Sequence, residues 1–326
     1  MKRREFIAGL GGAAAWPLVA RGQRPNGQVA HIAYLGMASP SAVDLRQIQQ
    51  FKQGLADNGL IEGRNITVDY VWAEGSPERL RQLATDLAER NLDLIVTAGS
   101  QPVRALLETR TPTPIVFAIH GDPVGDGVVD SFARPGRNIT GLSMANSNLE
   151  SKRLQILKDA ISSLTRVAIL RDPSGTASGL ADVQSGAREL ALETVIFDAS
   201  DPSQFDKIFA EAIGRNANGV AGMASAFLNF HHKRLIELAN QYRFPSIWES
   251  SGYIREGGML SYGPCFPDMY RQSAAYVAKI LNGAKPSDLP VEQPVRFELA
   301  INLKTAKSLG VAISPALLAR ADEVIE

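Results

Sequence analysis

A single cysteine, Cys265, occurs among the 326 residues. One thiol cannot close an intramolecular disulfide, so a disulfide scaffold is excluded and the core must hold itself. Cys265 also lies far from the N-terminus, so no cysteine stands near the start to carry a lipid, and it reads as a packed, inert thiol. Histidine is nearly as scarce: His31, His120, His231 and His232 are the full set. The adjacent pair on one helix would point in different directions, unlike an i, i+4 chelate, so no metal site is expected. Neither sign of charge is in excess, with 34 basic and 34 acidic residues. That balance lacks the electrostatic footprint of a nucleic-acid or anionic-membrane binder. Catalytic signatures are missing as well: there is no GxxxxGK[ST] phosphate loop and no GxSxG nucleophile elbow. Gly9-Leu10-Gly11-Gly12 imitates a dinucleotide fingerprint but follows no strand, so no cofactor is expected either.

What is present begins at the N-terminus. Lys2-Arg3-Arg4 is a basic start, residues 7–20 are uncharged and rich in Ala and Gly, and Ala20-Arg21-Gly22 has a small-x-small form. This is the layout of a secretory signal peptide. Arg3-Arg4 ahead of Glu5-Phe6-Ile7 matches a twin-arginine export signal. The apolar run is too short to span a bilayer, and no later run is long enough. The expectation is an exported, periplasmic protein without a lipid anchor, cut after Ala20 or Gly22. Residues 1–22 carry four basic groups and one acid, so removing them leaves 30 basic and 33 acidic residues.

Beyond residue 28 the pattern alternates. Residues 29–35, 66–72, 92–98 and 114–119 read as strands; 43–58, 77–90 and 101–108 have helical spacing. Strands apolar on both faces, separated by helices, predict a parallel sheet covered on two sides. The scheme repeats with strands at 166–170, 193–197, 219–223 and 245–248, and helices at 177–191, 203–215 and 227–242. The remainder departs from it, with a helix over 268–281, a Pro-containing connection, a strand over 295–301 and a helical tail over 303–326. Roughly 300 residues exceed one comfortable core and predict two domains. A tail that does not continue the alternation suits a chain crossing back between two α/β lobes.

Ligands of open α/β sheets sit at the carboxyl ends of the strands. In the first half those loops carry Met37, Ala38 and Ser39, then Gly99, Ser100 and Gln101, then Asp122. In the second they carry Asp172 and Ser174, then Ser225 and Phe227, then Trp248 and Glu249. Any one of these loops could be an ordinary capped turn; six in register on two halves point to a shared cleft. Ser100 reads as an N-cap whose helix amides would receive a carboxylate. Trp248 and Phe227, with Tyr262 as an alternative, would supply stacking surface and Glu249 would receive an ammonium, or the rings would be lobe core and the acid a salt-bridged surface group.

Ile115-Val116-Phe117 with Asp122-Pro123-Val124, Pro135-Gly136-Arg137-Asn138-Ile139-Thr140-Gly141, Ile280-Leu281-Asn282-Gly283 with Leu289-Pro290-Val291, the run from Ile301 to Gly310, and Ala321-Asp322-Glu323-Val324 carry a resemblance. The set resembles the ABC-transporter substrate-binding proteins of the tryptophan/tyrosine-binding type over nearly all of the chain after the export signal. The resemblance implies a type I periplasmic-binding-protein fold: two doubly wound α/β lobes with parallel sheets, joined by a multi-strand hinge. The lobes would be 28–144 with 264–290 and 145–263 with 291–326. Residues 97–100 correspond to the family's small-residue turn at the cleft, and Asp122 to its Asp-Pro-Val motif. The resemblance implies a monomeric protein that captures a small molecule, an amino acid or an aromatic or carboxylate compound, for an ABC permease. It implies no chemistry on the ligand. A periplasmic sensor subunit for a receptor kinase is the runner-up, and an exported α/β hydrolase is a third reading.

Overall fold

The computed structural model describes residues 29–39, 45–144, 149–173 and 177–326, so residues 1–22, expected to be an export signal, and Ser174 lie outside the described residues. The chain opens with β1 (Ala30–Gly36), α1 (Leu45–Asp57), β2 (Ile66–Trp72), α2 (Pro77–Glu89), β3 (Leu94–Thr97), α3 (Ser100–Glu108), β4 (Ile115–His120) and β5 (Ile139–Ser143). These strands form a parallel sheet in the order β2-β1-β3-β4-β5. β3 and β4 are buried at every position, because helices cover both faces. α2 starts where Ser76 accepts a hydrogen bond from the Arg79 amide and Pro77 takes the first helical position. Its Leu80, Ala84 and Leu87, with Val103 and Leu106 of α3, pack on the face of β1 that carries Ala33 and Leu35.

A second unit follows: α4 (Leu149–Ala160), β6 (Arg166–Arg171), α5 (Ala177–Glu189), β7 (Glu193–Asp198), α6 (Phe205–Gly214), β8 (Gly219–Gly222), α7 (Ala226–Phe230), α8 (His232–Gln241), β9 (Ser246–Trp248), α9 (Ser251–Arg255) and β10 (Leu260–Pro264). The chain ends with α10 (Phe266–Leu281), β11 (Phe297–Asn302), α11 (Leu303–Ser308), α12 (Pro315–Leu318) and β12 (Glu323–Ile325). The second sheet runs β12-β11-β10-β9-β8-β6-β7. It is parallel except for the antiparallel β10/β11 pair, which the reading of uniformly parallel sheets did not include.

α10 returns to the first unit. Met269, Tyr270, Ala274 and Val277 share a core with Ile32, Tyr34 and Phe51, and Gly54 of α1 lets the Arg271 backbone approach closely. Residues 289–292 then run beside β5, with the Ser143 amide donating to the Glu292 carbonyl at 2.8 Å. β11 re-enters the second sheet. The chain therefore passes between the units after β5, after β10 and before β11.

Two elements differ from expectation. The helix expected over 227–242 is broken at His231, where the His232 ring nitrogen Nδ1 bonds the Asn229 carbonyl at 2.6 Å and takes it from the helical ladder. The expected helical tail over 303–326 is instead α11, α12 and the strand β12. Gly310 at φ 75° ends the first helix, and Glu323–Ile325 extend the sheet by pairing with Ala300, Ile301 and Asn302.

In each sheet the strand order reverses once, between β1 and β3 and between β6 and β8. Such reversals leave a crevice at the carboxyl ends of the strands.

Candidate ligand-binding cleft

The crevices of the two sheets face one another across a cavity of about 210 Å³. From the first unit, Gly36, Met37 and Ala38 line it after β1, and Ala98, Gly99, Ser100 and Gln101 line it after β3. Gly99 holds φ 96° directly before α3, a conformation costly for any residue with a Cβ. Gly99, rather than Ser100, occupies the cap position, and no side chain caps the helix. The first turn of α3 thus opens on the cavity with its positive dipole end uncompensated by a side chain.

The same unit supplies an aromatic wall. Tyr34 and Gly36 lie on one face of β1, two residues apart, and Gly36 stands in register with Trp72 of β2. A Cβ at Gly36 would come within 2.5 Å of the Trp72 ring, so only glycine lets that ring lie flat against β1. Tyr34 and Trp72 have ring centroids 5.2 Å apart. Tyr270 of α10 brings its hydroxyl to 2.9 Å from that of Tyr34. Tyr34, Trp72, Tyr270 and Phe266 all line the cavity, as does Gln47 of α1.

The second unit contributes acids. Asp172, after β6, accepts hydrogen bonds from Gln101 Nε2 of the first unit and from Ser225 Oγ, each at 2.8 Å. The Gln101 bond spans the two units. Ser225 also caps α7, accepting from the amides of Phe227 and Leu228, so its hydroxyl is committed locally. Glu249, after β9, is 4% exposed and lines the cavity with Glu150 of α4. Burial pushes the Glu249 carboxyl up to about 8; Arg153 opposes this, the Glu150 carboxylate adds to it, and the Ser225 amide opposes it by hydrogen bonding. Arg153 is itself buried, pairs with Glu150 at 2.6 Å and donates from Nε to the Tyr262 carbonyl at 2.8 Å. One guanidinium therefore serves two buried acids.

The remaining expected site residues stand elsewhere. Trp248 is 1% exposed, stacks on Tyr253 at 5.0 Å and donates from Nε1 to Ser246 Oγ at 3.0 Å. It belongs to the core of the second unit, because alternation along β9 sends neighbours to opposite faces and only Glu249 reaches the cavity. Phe227 is buried against His231 at 4.6 Å and lines a separate outer groove with Arg104 and Ser200. Tyr262 stacks on Phe297 at 6.1 Å. Asp122 accepts from the Gly125 amide at 2.8 Å, closing its own turn, and neither it nor Ser39 lines the cavity. Arg171, which was not among the expected residues, also lines the cavity and donates to Asp198 at 2.6 Å.

Sequence reasoning overlooked Tyr34, Gln47, Trp72, Glu150, Phe266 and Tyr270. The only local signal was Gly36 two residues after Tyr34, and its meaning depends on which residue faces it across the sheet. Among the described residues, no three or more His, Cys, Asp and Glu side chains are grouped to hold a metal ion. None of their helices is long and apolar enough to cross a membrane.

Residues 36–325 match the family model of the ABC transporter substrate binding proteins. The chain belongs to this family. A tyrosine-binding protein of Clostridioides difficile (strain R20291) is 22% identical over 264 residues, 80% of this chain and 75% of that protein. A conserved domain protein from Vibrio cholerae superposes with a TM-score of 0.84 at 26% identity, over 91% of this chain and 100% of that one. The ABC domain from Streptococcus pneumoniae in complex with L-Trp gives 0.84 at 20% identity, with 91% and 100% covered. The fold is that of the type I periplasmic binding proteins. In this substrate-binding protein the two units are its lobes and the cavity is the interlobe cleft.

Proposed function

We propose that this substrate-binding protein is the periplasmic capture subunit of an ABC importer, and that its cleft takes an aromatic amino acid or a closely related aromatic amine or carboxylate. One observation carries the reading: lobe 1 brings an aromatic wall and an uncapped helix start to the same cavity into which lobe 2 brings buried acids. The rings of Trp72 and Tyr34 provide stacking surface for an aromatic side chain. The first turn of α3, at Ser100, receives a carboxylate. Glu249 and Glu150, short of one counter-charge, receive an ammonium. The tyrosine-binding relative and the L-Trp complex support a ligand of this class.

Residues 1–22 direct export through the twin-arginine route and are removed. The two lobes close on the ligand and present it unaltered to the permease. Calorimetry of residues 23–326 with L-tyrosine and L-tryptophan tests the reading. One-to-one binding with unchanged ligand recovered afterwards is the expected result. Failure of both to bind, or recovery of a chemically altered ligand, overturns it.

A further inference from the structure

Gln47 has no role in the fold that explains its burial. It lies on the face of α1 that carries Phe51, Gly54 and Leu55, where each neighbour packs against lobe 1. Gln47 is 6% exposed, lines the cleft, and finds no hydrogen-bond partner for its amide among the described residues. Its amide atoms are not sealed in the protein interior but open on the cavity. A ligand that fills the cavity must either pair them or shut them off from water at a cost in free energy. Tyr34, Trp72, Phe266 and Tyr270 line the same cavity as Gln47.

The tyrosine hydroxyls add a second unspent group. Tyr34 and Tyr270 share one hydrogen bond at 2.9 Å, and either oxygen can be its donor. Whichever donates, the other hydroxyl keeps a hydrogen with no acceptor among the described residues. Both side chains are buried, and burial holds both phenols protonated. The aromatic end of the cleft thus offers an amide that can donate and accept, and a hydroxyl pair with one hydrogen to give.

We infer that Gln47 and the Tyr34–Tyr270 hydroxyl pair form a subsite in lobe 1 for a hydrogen-bonding substituent on the ligand's aromatic ring, a ring hydroxyl above all. The inference rests on the cleft taking aromatic compounds of the class proposed above. A phenolic hydroxyl satisfies both requirements, donating to the Gln47 carbonyl oxygen and accepting from the tyrosine pair. A bare phenyl ring in the same place seals both groups from water without pairing them. That penalty discriminates more sharply than the loss of apolar contact does.

The test uses four probes in which ring hydroxyl and amine vary independently: L-tyrosine, L-phenylalanine, 3-(4-hydroxyphenyl)propionate and 3-phenylpropionate. Their affinities for the wild-type protein, Gln47→Leu and the double variant Tyr34→Phe with Tyr270→Phe are measured by calorimetry, with thermal melting as the check on folding. Each hydroxylated probe is expected to bind the wild type at least tenfold more tightly than its unsubstituted partner. Gln47→Leu is expected to cut that advantage to under threefold, and Tyr34→Phe combined with Tyr270→Phe, which removes every hydroxyl of the pair, to reduce it without reference to whether the leucine variant folds. Equal affinity within the pairs, or an advantage that survives in the folded variants, overturns the subsite and leaves the cleft reading standing. Failure of all four probes to bind the wild type overturns both.

Discussion

Adjacent residues at the end of β9 have opposite fates. Trp248 turns into the core, where a Cβ at Gly222 would come within 2.6 Å of its ring, while Glu249 turns into the cleft. Trp248→Ala is therefore expected to cost about 3–5 kcal/mol of stability, the usual range for emptying a large buried aromatic site. Denaturant titration measures that loss, and calorimetry should find binding within threefold of wild type; normal stability with lost binding would return Trp248 to the cleft. Glu249 titrates where it can be followed, near pH 8. In the empty protein its carboxyl is raised above the unfolded value, so the folded state holds the proton more firmly. The stability this confers is complete below the unfolded pKa and is lost as pH rises through about 8. Glu249→Gln is expected to flatten that decline between pH 5 and 8. Ligand binding carries the opposite sign: an ammonium prefers the ionised carboxylate, so affinity should climb with pH up to about 8 in the wild type and lose that slope in the variant. A calorimetric pH series separates the two effects.

At the scale of elements, the cleft depends on two glycines in different ways. Gly99 is required by its backbone, at φ 96° before α3. Gly36 is required by its neighbour, since the Trp72 ring occupies the space of its missing Cβ. Gly36→Ala is expected to push that ring toward the cavity, costing about 1–3 kcal/mol of stability through overpacking and weakening aromatic ligands severalfold. A variant with wild-type affinity would show that the ring moves away from the ligand instead. The strands and helices of the first sheet were largely legible, because apolar runs and 3.6-residue spacing report burial locally. The split of the 227–242 helix was not, since it depends on the His232 side chain taking the Asn229 carbonyl. Nor was β12, a short segment that becomes a strand because β11 offers it an edge.

For the whole molecule, the bond from Gln101 to Asp172 ties lobe 1 to lobe 2 at the mouth of the cleft. A hydrogen bond to a charged group contributes about 1.5–3 kcal/mol, enough to shift a closing equilibrium by tenfold or more. Gln101→Ala is expected to raise the radius of gyration of the ligand-free protein in small-angle scattering, and to weaken binding by the fraction of closed molecules lost. An unchanged scattering profile would remove Gln101 from any role in closure. Export belongs to this scale as well. Arg3→Lys with Arg4→Lys keeps the charge but loses the guanidinium pair, so the precursor is expected to stay in the cytoplasm. Fractionation of expressing cells checks it, and periplasmic accumulation of the double variant would point to the general secretory route.

The sequence by itself determined the class of fold, the alternation of elements and the family, because each is written in local periodicity or in a contiguous motif. Which residues form the wall of the cleft was decided only by the tertiary structure. Tyr34, Trp72 and Tyr270 meet through strand register and through α10 returning to the first lobe. Trp248 and Glu249 are neighbours in the chain but lie on opposite faces of a sheet whose covering layers come from elsewhere. Pairing across a sheet and packing across a hinge join residues more than 200 positions apart, as the hydroxyls of Tyr34 and Tyr270 show, and no periodicity records which distant partner a side chain will meet.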